Sequence, residues 1–126
     1  MKKTLLDKVS IFLLKNGYTL KNLTRACFDI LARENEHILL IKVLEDANSV
    51  SRQYADDMIA VASYINASPL IISDKAGGKL DDNIVYSRFN IYTFNFSTFI
   101  GCIGKKFPFV RRSQAGLTAS LIGKKL

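Results

Sequence analysis

Tryptophan is absent from this 126-residue chain, and proline and cysteine each occur only twice. Two prolines leave no Pro-rich linker, and Cys27 and Cys102 belong to no closely spaced pair, so no disulfide framework organises the fold. Both cysteines sit among apolar neighbours (Phe28; Ile100 and Ile103) and read as small buried hydrophobes. One histidine and two isolated cysteines cannot supply a zinc site of the usual ligand spacing. No apolar run approaches the roughly 18 residues of a membrane span. The N-terminal MKKTLLDKVSIFLLKNG is interrupted by Asp7 and Lys8 and lacks a small-residue cleavage site, which argues against a signal peptide. These absences predict a cytoplasmic protein with no membrane partner.

What is present suits an α/β domain with a real core: 48% hydrophobic and 23% charged residues. The net charge of +7 is uneven. Residues 1–28 hold six Lys/Arg and one acid, residues 29–104 hold six against ten acids, and residues 105–126 hold six and no acid. The division predicts a core over residues 1–104 and a basic extension over 105–126. Lys105, Lys106, Arg111, Arg112, Lys124 and Lys125 are the candidate nucleic-acid contacts, with Phe107 and Phe109 interleaved for stacking. The competing reading is a solvated surface, because adjacent Arg111 and Arg112 on a strand point to opposite faces.

Along the chain, the three- and four-residue spacing of Leu5, Leu6, Val9, Phe12 and Leu13 predicts a helix over 4–16, stopped at Asn16-Gly17. A short strand at 18–20 and a hairpin of strands 24–33 and 37–44 follow. In the second arm Ile38, Leu40, Lys42 and Leu44 share one face, while Leu39, Ile41 and Val43 share the other. Apolar residues on both faces predict a central strand covered on both sides. A helix over 50–66, capped by Ser49 or Ser51, leads to a strand at 69–73 and a loop at 74–83. Strands at 84–87 and 91–94, a brief helix capped by Ser97, and a final hairpin turning at Gln114-Ala115-Gly116 complete the reading. Gly77-Gly78-Lys79 lacks the rest of a phosphate loop and reads as a turn.

The stretch CFDILARENEHILLIKVL places one acid, Asp29, and one base, Lys42, among hydrophobic residues of the hairpin. A two-residue loop at Glu34-Asn35 sets Asp29 opposite Leu40, with Lys42 diagonal. A four-residue loop sets it opposite Lys42, and a three-residue loop puts the two on opposite faces. The element order αβββαβ resembles the core of restriction-endonuclease-like folds. There an Asp and an (Asp/Glu)-x-Lys bind a divalent metal while the Lys helps to activate water. Asp29 and Lys42 match, but Leu40 stands where the second carboxylate belongs. Hard cations need several oxygen ligands, so one carboxylate makes a poor metal site. Asp56 or Asp57 would have to substitute by migration. The simpler reading is a remnant ion pair that holds the strands together, with no metal and no cofactor.

The ordered segments FDILARENEHILLIKVL, SPLIISDK and NIVYSRFNIYTFNFSTF resemble the N-terminal domain of archaeal helix-turn-helix transcriptional regulators over nearly the whole chain. Ser73 and the SQAG turn depart from the Gly-containing pattern of that family. The resemblance implies a restriction-endonuclease-like helix–sheet–helix core with a C-terminal helix and β-hairpin. It also implies a non-catalytic domain of a DNA-binding regulator, serving oligomerisation, sensing or auxiliary DNA contact. The chain would then end where the DNA reader begins. Expected partners are DNA, bound weakly through the basic C-terminal segment, and further copies of the chain. The alternatives are a metal-dependent nuclease with a displaced acid, and a homodimerisation module without nucleic-acid contact.

Overall fold

The structure, a computed structural model, describes residues 2–23 and 27–104. The expected 105–126 hairpin, with all six of its basic residues, lies outside the described residues. Helix α1 (Lys2–Lys15) opens the chain, followed by strands β1 (Thr19–Asn22), β2 (Ile30–Glu34) and β3 (His37–Leu44). A single 3-10 turn at Ala47–Ser49 leads into α2 (Arg52–Tyr64) and then β4 (Ser68–Ser73). Two-residue strands β5 (Lys75–Ala76) and β6 (Gly78–Lys79) form a small separate ribbon. Strands β7 (Tyr86–Arg88) and β8 (Ile91–Phe94) and helix α3 (Phe96–Gly104) follow.

Six strands form one mixed sheet in the order β1-β2-β3-β4-β8-β7. The first three strands are antiparallel, β3, β4 and β8 are parallel, and β7 returns antiparallel to β8. The β3–α2–β4 connection is the crossover that a parallel pair requires. It leaves β3 and β4 with apolar residues on both faces. Leu39, Ile41, Val43, Leu70 and Ile72 face a core completed by Leu5, Val9 and Leu13 of α1 and Phe99, Cys102 and Ile103 of α3. Leu40 and Ile71 face the other core, under Ala55, Met58 and Ala62 of α2. The architecture is therefore three-layered, with α1 and α3 on one side of the sheet and α2 on the other.

Local chemistry explains the helix ends. After α1, Tyr18 N–H donates to the Leu13 carbonyl and Gly17 N–H to that of Leu14, with Gly17 at φ +89°. This is the paired-bond stop that the left-handed position of glycine permits. Asn66 plays the same part after α2 at φ +58°, with Ala67 N–H bonding the Ala62 carbonyl and Asn66 N–H that of Ser63. Ser51 caps α2 by accepting from Tyr54 N–H.

Several expected boundaries move. The strand expected from residue 24 begins at Ile30, and the one expected from residue 84 begins at Tyr86. The supposed loop at 74–83 contains the β5–β6 ribbon. Asn95, not Ser97, caps α3: its Oδ1 accepts from Thr98 N–H at 2.9 Å. The helix therefore starts at Phe96, and this residue packs edge-on against Phe12 in its first turn.

Candidate functional site

The parallel centre and the antiparallel arm meet at β3, and there the sequence-predicted pair lies. The hairpin turns on Asn35-Glu36, one position later than the two-residue alternative read from sequence, because Asn35 takes the left-handed conformation at φ +56°. Glu34 then faces His37 and Ile30 faces Ile41. The last paired residue of β2 is Ile30, and Asp29, next along, comes level with Lys42 on the α2 side of the sheet. The Asp29 Oδ1 and Lys42 Nζ atoms are 3.8 Å apart, and the two side chains are 17% and 11% exposed.

The carboxylate is also bound to the main chain. Its Oδ2 accepts a 2.8 Å hydrogen bond from Val43 N–H, and Asp29 N–H itself donates to the Ile41 carbonyl. A side chain thus replaces backbone where the β2–β3 ladder ends, satisfying an amide that a central strand would otherwise leave bare. The Lys42 ammonium lies 5.6 Å from the centroid of the Tyr54 ring, near enough for a cation–π attraction. The Tyr54 hydroxyl is 3.4 Å from the Cys27 carbonyl. Acid, base and ring form a closed group between the sheet and α2.

Leu40, two residues before Lys42, is 2% exposed and packs into the core beneath α2. The place of the second metal-binding carboxylate is thus filled by a buried methyl-bearing side chain. Asp56 and Asp57 are both exposed, whereas Ala55, Met58 and Ala62 of the same helix are buried, so both acids lie off the face that packs on the sheet. Among the described residues, no group of three His, Cys, Asp or Glu side chains gathers where it could hold a metal ion. The donor set does not fit the two-carboxylate site of the nuclease pattern. Lys105, Lys106, Arg111, Arg112, Lys124 and Lys125 lie outside the described residues, so the structure brings none of them to this group.

Sequence reasoning missed three organising residues. The Arg88 guanidinium donates to the Asn48 carbonyl at 3.0 Å and to the Val50 carbonyl at 2.8 Å, and stacks 4.6 Å from the Phe89 ring centroid. It ties β7 to the turn that launches α2. The Asp46 carboxylate accepts from Asn48 N–H, capping the 3-10 turn, and from Gly77 N–H in the β5–β6 ribbon. Asn95 joins three segments, donating to the Leu80 carbonyl and to Asp82 Oδ1 while capping α3. The available signals were the Arg-aromatic pair before the Asn90 turn and a polar residue ending an apolar strand. Neither has a periodicity that pattern reading detects. Around Asn95, a cleft of about 400 Å³ opens at the C-terminal ends of the parallel strands, lined by Asp74, Lys75, Lys79, Leu80 and Asn95.

The family model for a PD-(D/E)XK superfamily domain matches residues 2–108. A Picrophilus torridus protein named "Putative HTH-type transcriptional regulatory protein" is 32% identical over 97% of this chain and 40% of its own length. Proteins of the same name from Methanococcus vannielii and Thermoplasma acidophilum are 28% and 29% identical, over 100% and 99% of this chain. The chain spans about 40% of the length of these relatives. No described helix is long and apolar enough to cross a membrane.

Proposed function

The chain belongs to the PD-(D/E)XK superfamily, and from that membership we propose that it serves a DNA-binding transcriptional regulator as a non-catalytic domain. The observation that carries this reading is the condition of the Asp29 carboxylate. One oxygen is bound to Val43 N–H, the other faces Lys42, and the position of its metal-binding partner is the buried Leu40. A hydrolytic site needs a carboxylate pair aimed at a cation and a lysine aimed at water. Here acid and base are turned toward each other and the strand, an arrangement suited to holding the hairpin. The names of the relatives supply the regulatory context.

Within such a regulator the domain assembles copies, senses a ligand, or adds DNA contact beside a separate reader. The 400 Å³ cleft, in the size range of small-molecule sites, gives sensing a place to act. The six basic residues of 105–126 give auxiliary DNA contact its charge. That contact is expected to be weak and to fall steeply with salt, as phosphate neutralisation does.

The test is incubation of the 126-residue protein with supercoiled plasmid, linear duplex and a four-way junction in Mg²⁺ or Mn²⁺, alongside DNA retention across a salt series. The expected result is intact DNA and retention only at low salt. Metal-dependent cutting that disappears in both Asp29→Ala and Lys42→Ala would overturn the non-catalytic reading. Tight, salt-insensitive, sequence-specific binding would overturn the auxiliary role.

A further inference from the structure

The two helical layers carry unlike outer surfaces. On α1, Ile11 and Leu14 are exposed, the latter by 58%, and they lie one turn apart on the face away from the sheet. Exposed Lys8 and Lys15 flank them, with Lys3 toward the start of the helix and Asp7 as the one acid. On α2, Val61 and Tyr64 are exposed, Tyr64 by 91%, at the same three-residue spacing, and exposed Ile65 follows at the helix end. Exposed Asp57 lies one turn before Val61, exposed Asp56 stands beside it in sequence, and Arg52 sits at the far N-terminal end. Each helix thus carries an apolar stripe with charge beside it, net basic on α1, where three lysines outnumber Asp7, and acidic on α2.

The layers lie on opposite faces of one sheet, so a single chain cannot bring these stripes together, whereas two copies can. We propose that the α1 face of one copy docks on the α2 face of another, with Ile11 and Leu14 against Val61 and Tyr64, and Lys8 and Lys15 toward Asp56 and Asp57. Charge selects this pairing over its symmetric rivals. Docking α1 on α1 would set Lys3, Lys8 and Lys15 against the same three with only Asp7 to offset them, and α2 on α2 would set aspartates against aspartates, which is the arrangement that suppresses wrong partners. A contact between two different faces does not close on itself in a pair. It continues from copy to copy until a ring or a chain forms. Helices of this length run only about 20 Å, so the contact falls below the ~800 Å² per partner of standard stable interfaces. Association is therefore weak, and screening of its exposed charges makes it salt-sensitive.

This inference rests on the assembly role proposed above, but its test is independent of DNA cleavage. Sedimentation of the whole 126-residue chain over rising concentration reads the association directly. Weight-average mass is expected to climb without a plateau at the dimer, and to fall when salt is added. Two variants, each blocked on one face, then decide the geometry: Ile11→Glu/Leu14→Glu and Val61→Glu/Tyr64→Glu. All four positions are exposed, and circular dichroism confirms that each variant is folded. Each alone is expected to stay monomeric. An equimolar mixture is expected to form a capped one-to-one complex, because one intact face of each kind remains and the two blocked faces repel. A wild-type chain that is monomeric throughout, a plateau at the dimer, or a mixture that stays monomeric would each overturn the proposal.

Discussion

Asp29→Ala tests the closed acid–base group most directly. The substitution removes the acceptor of the Val43 N–H bond and leaves Lys42, only 11% exposed, without this counter-charge. An unsatisfied, partly buried donor costs about 1–3 kcal/mol. At 3.8 Å the pair attraction is about 4 kcal/mol at an effective dielectric of 20 and about 1 kcal/mol in water. Partial exposure draws the net value toward the lower figure. Together these give a loss of about 2–4 kcal/mol for Asp29→Ala. Asp29→Asn keeps a carbonyl oxygen for Val43 and is expected to lose about 1–2 kcal/mol. Lys42→Met keeps the aliphatic stem beside Tyr54, leaves the carboxylate on its amide, and is expected to lose no more than about 1 kcal/mol. Urea unfolding with unchanged slope measures all three. The reasoning is refuted if Lys42→Met costs more than Asp29→Ala, or if Asn is no better than Ala. Either result would mean that the backbone bond is not the principal role of the acid.

Two further outcomes follow from the described contacts. Arg88→Lys keeps the charge but loses the planar fork that reaches the Asn48 and Val50 carbonyls, so a loss of about 1–3 kcal/mol is expected by the same unfolding measurement. Burial, and then the nearby Glu34 carboxylate, raise the Tyr18 phenol above its usual pKa of 10.0. The unfolded chain therefore gives up this proton first. The stability contribution is complete below the unfolded-state pKa and is lost as pH rises from there through the raised folded value. Unfolding series above pH 9 should show this decline in the wild type and less of it in Tyr18→Phe.

Strand β3 was legible because its two apolar faces state both its place in the sheet and its coverage by helices. Helices α1 and α2 were legible for a similar reason, since periodicity and a left-handed stop residue are local properties. The Asp29–Lys42 pair was visible as a possibility, but its register depended on which residue of a short polar turn adopts positive φ. Loop-length counting leaves that choice open, and Asn35 settles it by tolerating the conformation. The residues missed were those whose partners are remote in sequence. Arg88 reaches carbonyls 38 and 40 positions away, and Asp46 meets Gly77 across 31. Asn95 was passed over for Ser97 because both are good capping types. Only the three-dimensional end of β8 decides where α3 begins.

The two ends of the main sheet bear on how this fold avoids misassembly. Among the described residues its outermost strands are β1 and β7, four and three residues long. At about 3.3 Å per residue, each offers only some 10–13 Å of template for an incoming strand. Edges this short, one of them carrying the exposed Lys21, resist the strand addition that seeds amyloid-like growth. Crowded copies are therefore steered toward contacts between side chains, which remain reversible, and away from contacts between backbones, which do not.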